Sequence, residues 1–254
     1  MKIQYASDLH LELTPNSRFM NRIPFEVVGD VLVLAGDIFN LWDSTPPCAK
    51  FWEWASANYR EVLIVPGNHE FFHHCDLLDQ GESWSREIRP NIHYYQNRVV
   101  RIDNVDFVLS TLWSQITQEQ EDVIHKEMPD FRQIMYNGHR FTPADFNTEH
   151  ENSLAFIKKS IAESTAEHIV VVTHHLPSLA VVAPKHKDSL LNSAFVTELD
   201  DFIADSRVDA WIFGHSHANV DAVVGNTRIV CNQLGYVYYR EHLGGFDGEK
   251  YIEV

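Results

Sequence analysis

Five stretches of this chain place metal-binding side-chain types directly after apolar runs. They are Asp8-Leu9-His10, Gly36-Asp37, Gly67-Asn68-His69-Glu70, His174, and Gly214-His215-Ser216-His217. Imidazole, carboxylate and one amide oxygen form a mixed nitrogen and oxygen donor set, which suits borderline divalent ions such as zinc, manganese or iron. No cysteine stands among these residues, so a soft thiolate site is excluded. The candidate donors Asp8, His10, Asp37, Asn68, His174, His215 and His217 are too many for one tetrahedral ion. They suit two ions sharing a carboxylate, about 3.5–4 Å apart. Each piece alone is weak, because Asp-x-His and Gly-Asp recur in ordinary surface turns. Their joint occurrence, each at the tip of an expected strand, is what points to one centre.

Strands must deliver these groups. Lys2 to Ser7, Val31 to Ala35, Val62 to Val65, His168 to Thr173 and Val208 to Phe213 are short apolar runs rich in β-branched residues, as expected of strands buried on both faces. Gly36, Gly67 and Gly214 end three of them abruptly. Open α/β sheets carry their chemistry in the crevice beyond such strand ends. Thr14 to Phe25 is Pro-broken and reads as a loop. Cys48 to Tyr59, opened by Pro46-Pro47, reads as a helix with Phe51, Trp52, Trp54 and Ala55 on its core face. A helix is expected over His74 to Ile88. Ile92 to Gln96, Val99 to Ile102 and Val105 to Ser110 read as strands joined by tight turns at Asn97-Arg98 and Asp103-Asn104. Thr142-Pro143 begins a helix running to Ser164, and Ser193 to Asp205 forms another. Val220 to Val224 and Thr227 to Cys231 form a hairpin around Gly225-Asn226, and the tail adds an edge strand. Residues 1–254 read as one domain. The irregular stretch 111–150 is its expected cap or substrate segment, since long loops in compact domains are often functional.

Composition narrows the function. The 254 residues carry a net charge of −16, which argues against a partner that presents an extended phosphate backbone. A small anionic substrate is compatible, because bound dications reverse the local sign. No apolar run reaches the ~20 residues of a membrane helix, and the N-terminus lacks a signal-peptide core. The expected compartment is the cytoplasm. Cys48, Cys75 and Cys231 lie far apart and form no CxxC, so a disulfide framework is not expected.

The order Asp8-x-His10, Gly36-Asp37, Gly67-Asn68-His69-Glu70, His174, Gly214-His215-x-His217 resembles the calcineurin-like metallophosphoesterase superfamily, over nearly the whole chain. The resemblance implies an α/β (α+β) fold, a four-layer α/β/β/α sandwich of two mixed sheets flanked by helices. It implies that Asp8, His10, Asp37 and His217 hold a first ion, and that Asp37 bridges to a second completed by Asn68, His174 and His215. His174 is preferred to His175 because it follows the strand directly. His69 would stand beside the two divalent ions (Mn, Fe, Zn or similar) as the catalytic residue. Two departures matter. Asn40 occupies the place where the family often has a second Asp, and Asp43 nearby has no claim to replace it. The arginines with which Ser/Thr protein phosphatases grip phosphate are absent, since Asp37 is followed by Ile38-Phe39 and Glu70 by Phe71-Phe72.

The implied reaction is hydrolysis of a small phosphate ester by in-line attack of a metal-bridging hydroxide, without a covalent phosphoenzyme. Lacking the arginine clamp, the chain is expected to favour a phosphodiester. A phosphomonoesterase or nuclease of the same superfamily, and a non-catalytic metal-binding scaffold, are the alternatives. Asn40, Arg132, His139 and His150 are the substrate-binding candidates, with Arg140, Lys185, His186 and Lys187 in the same loops.

Overall fold

Alternation within the apolar runs decides which way each strand faces. In the run Val31 to Ala35, Val31, Val33 and Ala35 enter one core while Leu32 and Leu34 enter another. The computed structural model describes residues 1–42 and 45–254. In chain order the strands are β1 (Lys2–Ala6), β2 (Val31–Ala35), β3 (Glu61–Val65), β4 (Trp84–Arg89), β5 (Ile92–Gln96), β6 (Arg98–Ile102), β7 (Val105–Leu109), β8 (Met135–Tyr136), β9 (His139–Arg140), β10 (His168–Val172), β11 (Ala210–Phe213), β12 (Ala222–Val224), β13 (Thr227–Cys231) and β14 (Tyr251–Glu253). The α-helices are α1 (Thr14–Met20), α2 (Ala49–Asn58), α3 (Glu121–Glu127), α4 (Asp130–Gln133), α5 (Pro143–Glu163) and α6 (Asp200–Ala204).

Two six-stranded mixed sheets result, ordered β14-β1-β2-β3-β5-β4 and β12-β13-β11-β10-β7-β6. Each has parallel central strands and an antiparallel strand at both edges. Their facing sides share one apolar core, with Ile3, Val33 and Val65 from the first sheet and Phe107, Val172 and Ile212 from the second. Outside the first sheet, Leu32, Leu34 and Ile64 pack with Met20 of α1 and Phe51 and Trp52 of α2. Outside the second, Val171 and Trp211 pack with Ile157 and Ile161 of α5 and Ile203 of α6. This is the expected four-layer α/β/β/α sandwich. Because the central strands of each sheet run parallel, the C-terminal ends of β1, β2 and β3 lie along one edge of the first sheet, and those of β10 and β11 along one edge of the second. Helix α5 begins with the expected cap: the Thr142 side chain accepts the Asp145 N–H, and Asp145 accepts the Thr142 N–H.

Four expectations are corrected. Thr14 to Phe25 is not all loop: α1 forms with Pro15 in its first turn, where proline's missing N–H costs nothing. His74 to Ile88 holds no helix. Its end is β4, an edge strand whose polar residues pair with β5. Asn97-Arg98 is not a hairpin turn, because β5 pairs within the first sheet and β6 within the second. Asn97 marks that crossing, donating to Glu82 O and accepting from Ser110 Oγ. The expected helix from Ser193 to Asp205 is split. Val196 forms a bridge to Leu176, and the β-branched pair Val196-Thr197 favours that extended path, so only α6 is α-helical. Cys48, Cys75 and Cys231 are free thiols. Among the described residues, no helix is long and apolar enough to cross a membrane.

Candidate metal centre

The strand tips carry strained backbone. Asp8, His10, Asp37, His215 and His217 all have positive φ, from 44° at His10 to 77° at His215. Non-glycine residues held there cost about 1–3 kcal/mol each and tend to gather at functional sites. Two glycines allow the tips to close. A Cβ on Gly67 would stand 2.2 Å from Asp37 Oδ1, and one on Gly36, at φ +86°, would stand 2.3 Å from His174 Nδ1.

Glu70 ties the tips together from below. Its carboxylate accepts the N–H groups of Asp37 (3.0 Å), Ile38 (2.7 Å) and Gly67 (2.8 Å) and the Tyr94 hydroxyl (3.0 Å). Burial and the Asp37 carboxylate push Glu70 up to about 8, while the N–H groups of Ile38 and Gly67 pull the other way. Backbone N–H groups can only donate, so an amide at this position would turn its own NH₂ against one of them. Glu70→Gln is therefore expected to cost about 1–3 kcal/mol, the penalty for an unsatisfied buried donor. Denaturant unfolding of both proteins at about pH 9, where the Glu70 carboxyl is ionised and only accepts, measures this.

The side chains converge from both sheets. Donor atoms of Asp8, His10, Asp37 and His217 lie within 4.8 Å of one another, as do those of Asp37, His174 and His215. Asp37 is common to both groups. His174 Nδ1 faces Ala35 O at 2.9 Å, which turns its Nε2 toward Asp37 Oδ1 (3.4 Å) and His215 Nδ1 (3.1 Å). His10 Nδ1 faces Glu12 (3.2 Å) and His217 Nδ1 faces Glu241 (2.7 Å), so their two Nε2 atoms meet at 3.0 Å. Fixing one ring nitrogen on a carboxylate or carbonyl is how metal-binding histidines are oriented. The His215 N–H donates to the Asp8 carboxylate across the sheets.

Electrostatics fit cations here. Burial opposes a charge on His174, yet Asp37 outweighs it and raises the ring to about 9. Burial likewise opposes a charge on His217, but Asp8 and Glu241 lift it to about 10. Against burial, His174 and His69 hold the Asp37 carboxyl well below its ordinary value. Protonated imidazoles thus supply positive charge beside Asp8 and Asp37, a role dications can take. Asn68 Oδ1 is buried and, among the described residues, has no hydrogen-bond partner, as suits an oxygen kept for a cation.

A cavity of about 270 Å³ opens onto this cluster and is lined by Asp37, Asn68, His69, Asp130, Lys185 and Tyr236, among others. His69 reaches Glu12 through Nδ1 (3.6 Å) and the Tyr236 hydroxyl through Nε2 (3.4 Å). Burial would lower its pKa, but Asp37 and Glu12 prevail and raise it.

The substrate candidates lie elsewhere for the most part. Asn40 is buried and donates to His69 O (2.6 Å), so it holds the His69 backbone. Arg132 donates to the carbonyls of Lys126 and Glu127, Arg140 donates to Arg132 O, and exposed His139 meets Asp145 at 3.0 Å. His150 is buried against Trp113 O. None of these lines the cavity, whereas Lys185 and His186 do. His175 packs between Trp113 and His215 and does not approach Asp37 as His174 does. Asp43 lies outside the described residues.

Sequence reasoning passed over Glu12, Glu241, Tyr236 and Asp130. Glu12 continues the alternation Asp8-x-His10-x-Glu12, a usable signal. Glu241 and Tyr236 arrive from the tail and carried none. Asp130 is buried, and burial pushes its carboxyl up to about 6 against the pull of His69 and Asn68.

Comparison with known proteins agrees with this geometry. A family model described as calcineurin-like phosphoesterase matches residues 1–219. An uncharacterized protein of Acanthamoeba polyphaga mimivirus is 27% identical over 278 residues, spanning 99% of this chain and 96% of that one. Among solved structures, the phosphopantetheinyl hydrolase of Mycobacterium tuberculosis is similar in fold, with a TM-score of 0.67 at 15% identity over 99% of this chain and 95% of that one.

Proposed function

Because this chain belongs to the calcineurin-like phosphoesterase family, hydrolases of phosphate esters that bind divalent metals, we propose that it is a dinuclear phosphodiesterase acting on small organic diesters. Asp8, His10, Asp37 and His217 would hold one ion, and Asp37, Asn68, His174 and His215 the other. The observation that carries the dinuclear reading is the membership of Asp37 in both donor groups. Ions held there supply a water of lowered pKa as nucleophile and neutralise charge on the phosphoryl oxygens.

The chain's own residues do the rest. Glu70 and the glycines keep the donor atoms in place before substrate arrives, so little reorganisation is needed during reaction. His69 stands in the cavity beside the Asp37 group, where it can give a proton to the departing alkoxide. Glu12, the Tyr236 hydroxyl and Asn40 fix its ring and backbone.

The diester preference rests on charge and on the flanks of the cavity. A phosphomonoester carries about −1.5 to −2 near neutral pH, and Lys185 is the one Lys or Arg among the described residues lining the cavity. A diester has less charge and two organic substituents. An apolar pocket of about 190 Å³, formed by Leu176, Val182, Ala183, Leu191 and others, shares His186, Phe195 and Ser216 with the cavity. A second recess, with Leu13, Pro15, Tyr238 and Tyr239, shares His69 and Tyr236 with it. An apolar cavity of about 150 Å³ holds benzene, so the first pocket suits one ring or a short branched chain. Ala183→Leu would fill it. The variant is expected to lose about tenfold in kcat/KM on phenyl 4-nitrophenyl phosphate, as hydrophobic pockets discriminate, while keeping its rate on the methyl analogue.

A panel of esters with Mn²⁺ tests the reading. It should include diesters, monoesters and a phosphopantetheinyl ester, the last because the fold relative bears that name. Diesters should be turned over faster, with inversion at a chiral thiophosphoryl centre. Turnover of monoesters alone contradicts the preference, and retention contradicts direct attack. A nuclease reading fits less well with the net charge of −16.

A further inference from the structure

Asp130 opens α4 within the segment 111–150, far in sequence from every candidate ligand. Its side chain is fully buried, and neither carboxylate oxygen has a hydrogen-bond partner among the described residues. A buried carboxylate without a donor or a cation is costly, and proteins rarely retain one without a role. Asp130 lines the same cavity as Asp37, Asn68, His69 and His215. Its electrostatic neighbours are Asn68, His69 and Asp37. Asp37 is a like charge, so the cavity that Asn68 lines also holds two carboxylates, those of Asp37 and Asp130. The Asn68 amide stands beside Asp130 without closing a hydrogen bond of good geometry, and Asn68 Oδ1 is itself unpartnered. This corner of the cavity therefore gathers acceptors in excess of donors, which is what a cation requires. Asp130 is not in the group of Asp37, His174 and His215 donor atoms that lie within 4.8 Å of one another, so it stands one step outside them.

We propose that Asp130 is a positioning residue for the second ion: its carboxylate takes the Asn68 side-chain N–H and thereby keeps Asn68 Oδ1 turned toward the ion shared by Asp37, His174 and His215. Its negative charge is answered by that ion. An amide has one oxygen and one nitrogen, so a partner that accepts from the nitrogen selects which atom faces the metal, as outer carboxylates do for histidine ligands. The inference rests on the dinuclear reading.

Calorimetric titration of chelator-stripped protein with Mn²⁺ tests it, with metal content per chain and thermal melts measured on the same samples. Wild type should bind two ions. Asp130→Leu, which leaves no acceptor for the Asn68 N–H, should bind one as wild type does and the other about 10–100-fold more weakly, the usual loss when an outer partner of a ligand is removed. In chelator, Asp130→Leu should melt at or above the wild-type temperature, because a buried unpaired charge is gone. With Mn²⁺ its gain in melting temperature should be smaller than that of wild type. Wild-type affinity for both ions overturns the proposal, and so does an equal loss of melting temperature with and without metal, which marks a merely structural role. If wild type itself binds only one ion, the dinuclear reading fails first and this inference with it. If wild type binds two and Asp130→Leu binds both unchanged, only the role of Asp130 fails.

Discussion

Replacing Asp37 with alanine is expected to strip both ions from the protein and to lower kcat/KM by on the order of 10³-fold or more. Stabilisation by a bound metal amounts to several kcal/mol, and each 1.4 kcal/mol is about tenfold in rate. Asp37 is the one residue common to both donor groups. It is buried, it accepts the His69 N–H at 3.0 Å, and it faces His174 at 3.4 Å and His10 at 3.8 Å. Without it, neither ion would retain a full set of donors. Metal analysis after gel filtration reads the first effect and initial rates read the second. Loss of one ion only, with the other retained at full affinity, would show that Asp37 does not bridge.

His69→Ala should behave differently: both ions stay and kcat falls by about 10²–10⁴-fold, the range for a lost general acid. His69 lines the cavity, but it is not in the two donor groups that share Asp37. Glu12 faces its Nδ1 at 3.6 Å, a carboxylate that favours a proton on the ring. A proton donor matters most for a poor leaving group. The loss should therefore be large for an alkyl leaving group and small for 4-nitrophenolate, whose departure needs little help. Equal losses on both would instead mean that His69 acts on the non-leaving phosphoryl oxygens.

Much of the sandwich was legible because its determinants are local. The runs before Gly36, Gly67 and Gly214 are short, apolar and β-rich, and they form the central strands β2, β3 and β11. Thr142-Pro143 with Asp145 forms the cap on α5 that its residue types predict. The clustering was also foreseeable: Asp8, His10, Asp37, His174, His215 and His217 follow such strands and lie in the two donor groups that share Asp37. What was illegible depends on partners distant in sequence. Nothing near Asn97 announces that β5 and β6 belong to different sheets; Ser110 and Glu82 decide it through the Asn97 side chain. The helix expected near His74 gave way because β4 finds an edge beside β5. Basic residues in 111–150 suggested substrate contact, but Arg132 and Arg140 cap nearby carbonyls. The acidic Asp130 of that segment enters the cavity instead. Charge type alone does not reveal which loop residue faces inward.

Crystals grown with Mn²⁺ and measured at an anomalous wavelength test the paired-ion centre most directly. Two peaks about 3.5–4 Å apart, with the Asp37 carboxylate between them and Asn68 Oδ1 on the second, are the predicted result. A single peak, or two peaks with Asp37 bound to neither, would contradict it.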